Sequence, residues 1–120
     1  MHPSNLVLRF FLEIAALVGF GVFAWRLAEG WWRFVAVIAI LASLMTIWGV
    51  FAVPNDPSRS GAAPIPVSGL ARLILELAIL LGGACAFYCA GFNFLAVLLV
   101  VLVTIHYALS GKRIAWLLQQ

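Results

Sequence analysis

Four stretches of this chain, at about residues 6–25, 34–53, 70–90 and 92–109, are almost wholly apolar. A hydrocarbon core about 30 Å thick takes about 20 helical residues at 1.5 Å each, and every stretch reaches that length, the fourth only just. Of 120 residues, 66% are hydrophobic and 9% are charged. Soluble domains hold about 45–50% and 25%, so a water-soluble fold of this composition could not cover its own core. The expectation is an all-α integral membrane protein, a four-helix transmembrane bundle forming one domain, with the lipid bilayer as its main partner.

The connections between the stretches differ. "RLAEGWWR" joins the first two and "AGFN" the last two, where Gly91 and Asn93 suit a tight turn. Between the pairs lies "PNDPSRSGAAPIPVSG", with four of the five prolines, and residues 54–68 read as a water-exposed loop. Pro3, Ser4 and Asn5, and later Pro66 and Ser68, supply helix starts. The first stretch carries internal charges and ends in "FAWRLAEGWW" without a small-residue cleavage site, so it reads as a retained helix. The tail, 111–120, reads as a short amphipathic piece on the inner surface.

The net charge is +3, spread over the ends of the apolar stretches with no basic run, which argues against nucleic acid. With the N-terminus inside, Arg9, Arg59, Arg72, Lys112 and Arg113 share the cytoplasmic side against Arg26 and Arg33 outside. Both termini are therefore expected in the cytoplasm. Trp25, Trp31 and Trp32 would anchor the outer interface.

The chain also repeats itself. Arg9, Glu13, Ala15 and Gly19 match Arg72, Glu76, Ala78 and Gly82 at a constant offset, and "TIW" at Thr46 matches "TIH" at Thr104 after a shorter one. Two helices per unit make the units parallel helical hairpins, related by an axis along the membrane normal.

Charged residues within a span cost from about 3 kcal/mol upward at its centre. Each Arg lies one turn from its Glu on the same helical face, on the side from which a long side chain can reach headgroups. By depth, Arg9, Glu13, Trp48, Arg72, Glu76 and His106 form one intramembrane polar slab, and exchange between the repeats, Arg9 to Glu76 and Arg72 to Glu13, is open to them. Two readings follow: ion pairs that hold the inner end of the bundle together, or a path for protons or ions using Glu13 and Glu76. Ala15, Gly19, Ala78 and Gly82, with Gly21 and Gly83, make small-xxx-small spacings for close helix packing, on a face read as separate from the polar one. Cys85 and Cys89, four residues apart, read as packing residues. No catalytic constellation, metal-ligand set, cofactor motif or soluble substrate is legible, so no enzyme activity is expected.

"NLVLRFFLEIAAL", "WGVFAVPNDP" and "LARLILELAIL" together resemble the YrdB-like family of small bacterial membrane proteins. The resemblance covers about residues 5–109. It implies four spans, a bacterial inner-membrane location and no assigned activity. Within it, the expected role is structural or accessory, exercised through a membrane-protein partner or a homo-oligomer; the alternative is a small transporter or channel.

Overall fold

The computed structural model describes residues 3–56 and 63–120. Five helices carry the chain: α1 (Pro3–Leu27), α2 (Trp32–Val50), α3 (Gly69–Cys89), α4 (Asn93–Ala108) and α5 (Gly111–Leu118). Two short strands, β1 (Phe51–Ala52) and β2 (Ile65–Pro66), pair in parallel between the hairpins. Three helices, α1 to α3, are long and apolar enough to cross a membrane. A fourth crossing results if α4 and α5 are counted together across their 72° bend.

The ends of these elements have local causes. Ser68 caps α3, its side chain accepting from the Ala71 amide at 3.2 Å. At the other end Gly91 adopts φ +91°, which an L side chain rarely does. The amides of Gly91 and Phe92 turn back to the carbonyls of Tyr88 and Phe87, closing the helix in a Schellman turn. The second apolar stretch leaves the helix at Val50, three residues before the sequence expectation. There Phe51 and Ala52 turn extended to pair with Ile65 and Pro66, and Arg72 Nη1 donates to the carbonyls of Trp48 and Phe51, both at 2.6 Å. A guanidinium thus takes carbonyls that the end of α2 leaves without helical partners.

α1 and α3 lie side by side and run the same way: Arg9 meets Glu76 near one end, Gly19 meets Gly83 in the middle, and Arg26 reaches the Ala90 carbonyl at the other. The two hairpins therefore point in one direction. A Cβ added at Gly83 would come within 2.6 Å of Ala16 Cα, so the backbones touch there and only a small residue fits. Around this seam gather Leu12, Ala16, Leu80, Ala84 and Phe87, with Ala96, Leu99, Val103 and Tyr107 from α4. α2 packs along α1 and contributes no buried residue.

The helix-packing residues differ in part from the sequence expectation. Gly19 is in the seam, but its partners are Ala16 and Gly83; Gly82 faces the Phe20 ring, Ala15 is half-buried, and Ala78 is exposed. The physical reason is rotation about the helix axes. Arg9, Ala16 and Gly19 lie on one face of α1, as Glu76 and Gly83 do on α3, so the polar and the small residues share the packed face instead of occupying two. The tail differs too. It folds back as α5, burying Arg113 and Leu117, and the Leu117 carbonyl sits so close to Gly69 that a Cβ there would collide with it. Arg59, counted above toward orientation, lies outside the described residues.

The seam makes a direct prediction. Gly83→Ile should lower stability in detergent by about 1–3 kcal/mol or more, because overpacking has nowhere to go against a neighbouring backbone. Gly49→Ala, where a Cβ meets nothing within 4 Å, should be neutral or slightly stabilising. Chemical or thermal denaturation of both variants reads the difference.

Candidate functional site: a buried charge hub

The polar residues converge where the N-terminal ends of α1 and α3, the C-terminal end of α4, and α5 meet. Glu76 is the centre and is fully buried. Its Oε1 accepts from Tyr107 Oη at 2.9 Å and Arg113 Nη1 at 2.7 Å. Its Oε2 accepts from Arg9 Nη2 at 3.0 Å, Arg72 Nε at 2.9 Å and Arg113 Nη2 at 2.7 Å. One carboxylate thus gathers three guanidiniums and a phenol from four different helices.

The remaining charges balance these cations. Arg113 forks onto Asp56, with Nε to Oδ1 at 3.2 Å and Nη2 to Oδ2 at 2.7 Å. Arg9 Nε pairs with Glu13 Oε1 at 3.1 Å. Three arginines therefore face three carboxylates, and arginine stays charged in any protein environment. The Trp48 ring lies against two of the guanidiniums, 4.8 Å from Arg72 and 5.6 Å from Arg9. A buried ion cluster survives only when desolvation, several kcal/mol per ion, is offset by close pairing and further hydrogen bonds; here both conditions are met.

Beside the hub, Asn5, His106 and Ser110 close a ring. Asn5 Nδ2 donates to Ser110 Oγ at 2.6 Å, Ser110 Oγ donates to the His106 carbonyl at 2.7 Å, and His106 Nδ1 lies 2.8 Å from Asn5 Oδ1. Since Asn5 Oδ1 can only accept, Nδ1 carries the proton. The ring ties the start of α1 to the end of α4 and holds the imidazole in one tautomer. His106 Nε2 is buried without a hydrogen-bond partner among the described residues.

All six slab residues named from the sequence lie in or against this region, but in unequal roles. Arg9, Arg72 and Glu76 are the hub, and Trp48 flanks it. His106 belongs to the neighbouring ring. Glu13 sits at the edge, its side chain 27% exposed. Exchange between the repeats runs one way, from Arg9 to Glu76, while Arg72 turns to the end of α2. Sequence reading missed Asp56, Tyr107 and Arg113, together with Asn5 and Ser110. Arg113 carried a usable signal: it lies one helical turn before Leu117, which gives a short helix one inward face. Asp56 sits in a Pro-rich segment and carries no such signal. Among the described residues no group of His, Cys, Asp and Glu is arranged to hold a metal ion.

Comparison with known proteins gives two matches. The family described as "Protein of unknown function (DUF2568)" matches residues 7–104. The chain is 42% identical over 120 residues to "Uncharacterized protein YrdB" of Bacillus subtilis (strain 168), covering 100% of this chain and 98% of that one. No solved structure matches.

The hub predicts a ranking of losses. Glu76→Gln should destabilise by about 3–5 kcal/mol, since it leaves buried guanidiniums uncompensated. Asp56→Asn should cost less, about 1–3 kcal/mol, because Arg113 keeps Glu76. Glu13→Gln should cost least, because Arg9 also keeps Glu76. Equal losses in unfolding titrations of the three variants would refute a single centre.

Proposed function

The chain belongs to the family described as "Protein of unknown function (DUF2568)", and from that premise we propose that it is a small multi-pass integral membrane protein with a structural or accessory role. The hub supports the reading: Glu76 has no exposed surface and accepts five hydrogen bonds, and the three arginines around it are balanced by three carboxylates. A conduction path needs a polar group that water or a substrate can reach, and a carboxylate enclosed by three guanidiniums offers neither access nor a free protonation cycle. The imidazole ring is held as firmly, with its Nδ1 proton committed to Asn5.

The outside of the bundle supports placement in a bilayer. Phe11 is 63% exposed, Ile38 67% and Phe94 77%, and α2 buries nothing. Monomers in water rarely present contiguous apolar surface on this scale, whereas charges gathered inside and oil outside suit hydrocarbon. In this reading the two hairpins are the repeated unit, and both termini lie on the hub side, in the cytoplasm of a bacterial inner membrane. The protein acts as a rigid element for a membrane-protein partner or a second copy, with no catalysis of its own.

Purified protein in liposomes should dissipate an imposed proton gradient no faster than empty liposomes. A proton flux that Glu76→Gln abolishes would replace this reading by transport. Reporter fusions at Gln120 should report a cytoplasmic C-terminus.

A further inference from the structure

The two hairpins close on the central α1–α3 pair unequally. α4 packs against both α3 and α1, whereas α2 packs along α1 and stands off α3. A furrow therefore runs between α2 and α3 with α1 as its floor. It comprises a cavity of about 230 Å³ beside Glu13 and Trp48, and a groove of about 520 Å³ that continues past Phe20 and Phe23 to Cys85 and Cys89; Leu44 borders both. From Glu13 to Phe23 is ten residues of α1, about 15 Å of helix.

Glu13 is the one charged side chain that lines this furrow. Among the described residues it accepts a single hydrogen bond, from Arg9 to Oε1. A carboxylate beside an apolar space, able to accept several hydrogen bonds and given one, is short of donors. The sign of the missing donor follows from the charge count. Arg9, Arg72 and Arg113 are matched by Glu13, Glu76 and Asp56. A cationic head would add an uncompensated charge to a neutral, poorly solvated cluster. A neutral donor supplies the hydrogen bond without that cost.

We propose that the furrow holds a single-chain amphiphile with a neutral hydroxyl head, the hydroxyl donating to Glu13 beside the Trp48 ring and the alkyl chain lying along Leu17, Leu44 and Phe20 toward Cys85. The ligand class is a long-chain alcohol or a lipid presenting a free hydroxyl on one chain. This rests on the geometry of the furrow and holds whether the protein's wider role is structural or not.

The test uses full-length protein in phosphatidylcholine nanodiscs, whose headgroups donate no hydrogen bond, photolysed with dodecanol carrying a mid-chain diazirine. Adducts should concentrate on furrow residues such as Leu17, Phe20 and Leu44. Dodecanol should compete at least about tenfold better than dodecyl methyl ether, the worth of one hydrogen bond to a charged group. Glu13→Met should weaken labelling by a similar factor. Leu44→Trp fills the junction of the two spaces, leaves the Glu13–Arg9 pair alone and should abolish labelling; it decides the matter, with the ether comparison, if Glu13→Met does not fold. Labelling that spreads evenly to Val97 and Val101 on α4, or an ether that competes as well as the alcohol, would overturn the proposal. So would dodecylammonium competing better than dodecanol, or crosslinks joining two copies of the chain through the furrow.

Discussion

Everything at one end of this molecule follows from burying the carboxylate of Glu76. A lone carboxylate in a poorly solvated interior would cost several kcal/mol or take up a proton. Both oxygens are instead fully engaged, and the donors come from α1, α3, α4 and α5. Each donor brings its helix to a defined place, so the hub works as a register mark. Sliding α1 along α3 by one turn would separate Arg9 from Glu76 and at the same time move Ala16 off Gly83, where only small residues fit. The electrostatic and steric constraints select the same alignment, and agreement between levels of this kind specifies a single packing.

The connecting segments are drawn into the same centre. Arg113 brings α5 under the bundle and holds Asp56, which lies just beyond the short β1–β2 pair. Arg72 fixes the end of α2 from the side. At the opposite end the chemistry is lighter. Arg26 donates to the Ala90 carbonyl and stacks over Phe92 at 4.9 Å, and Arg33 stacks over Trp25 at 5.2 Å. The seven basic residues therefore divide between structural duties at the two ends, which is why the net charge of +3 points to no polyanionic partner.

The helices were legible in the sequence because apolar length is a strong signal, and the hub in outline because charge inside apolar stretches is rare. Arg9, Glu13, Arg72 and Glu76 could be named from their spacing alone. The repeat could not show that Glu13 and Glu76 end up in different surroundings. Equal spacing along two helices fixes which residues share a face, but the rotation of each helix is set by its neighbours, and α3 has more of them than α1. Nor could the tail be placed. An eight-residue helix with one arginine and one leucine facing inward suits a membrane surface as well as a bundle end, until the buried carboxylate that recruits the arginine is known. Asp56 depended on that same arginine and was hidden with it. The separation of small and polar faces failed for a related reason: it was measured from Glu13, the one member of the four that the seam leaves at its edge.

The difference between the two glutamates is where the molecule departs from its own repeat. In the second unit the chain beyond α4 turns through 72° and returns Arg113 and Leu117 to the bundle, sealing Glu76 and Gly69. In the first unit the chain beyond α2 turns extended and pairs with β2, so no helix returns over Glu13. A sequence that preserves Arg-x-x-x-Glu twice thus produces one glutamate whose partners are all internal and one that borders an open furrow. The first is held too tightly to exchange anything, and it keeps the helices in register. The second retains the capacity to accept a further hydrogen bond, and its surroundings are apolar along the length of an alkyl chain. Duplication followed by a change in what comes after the second helix is sufficient to separate a structural ion cluster from a candidate binding position, with the same two residue types at the same spacing.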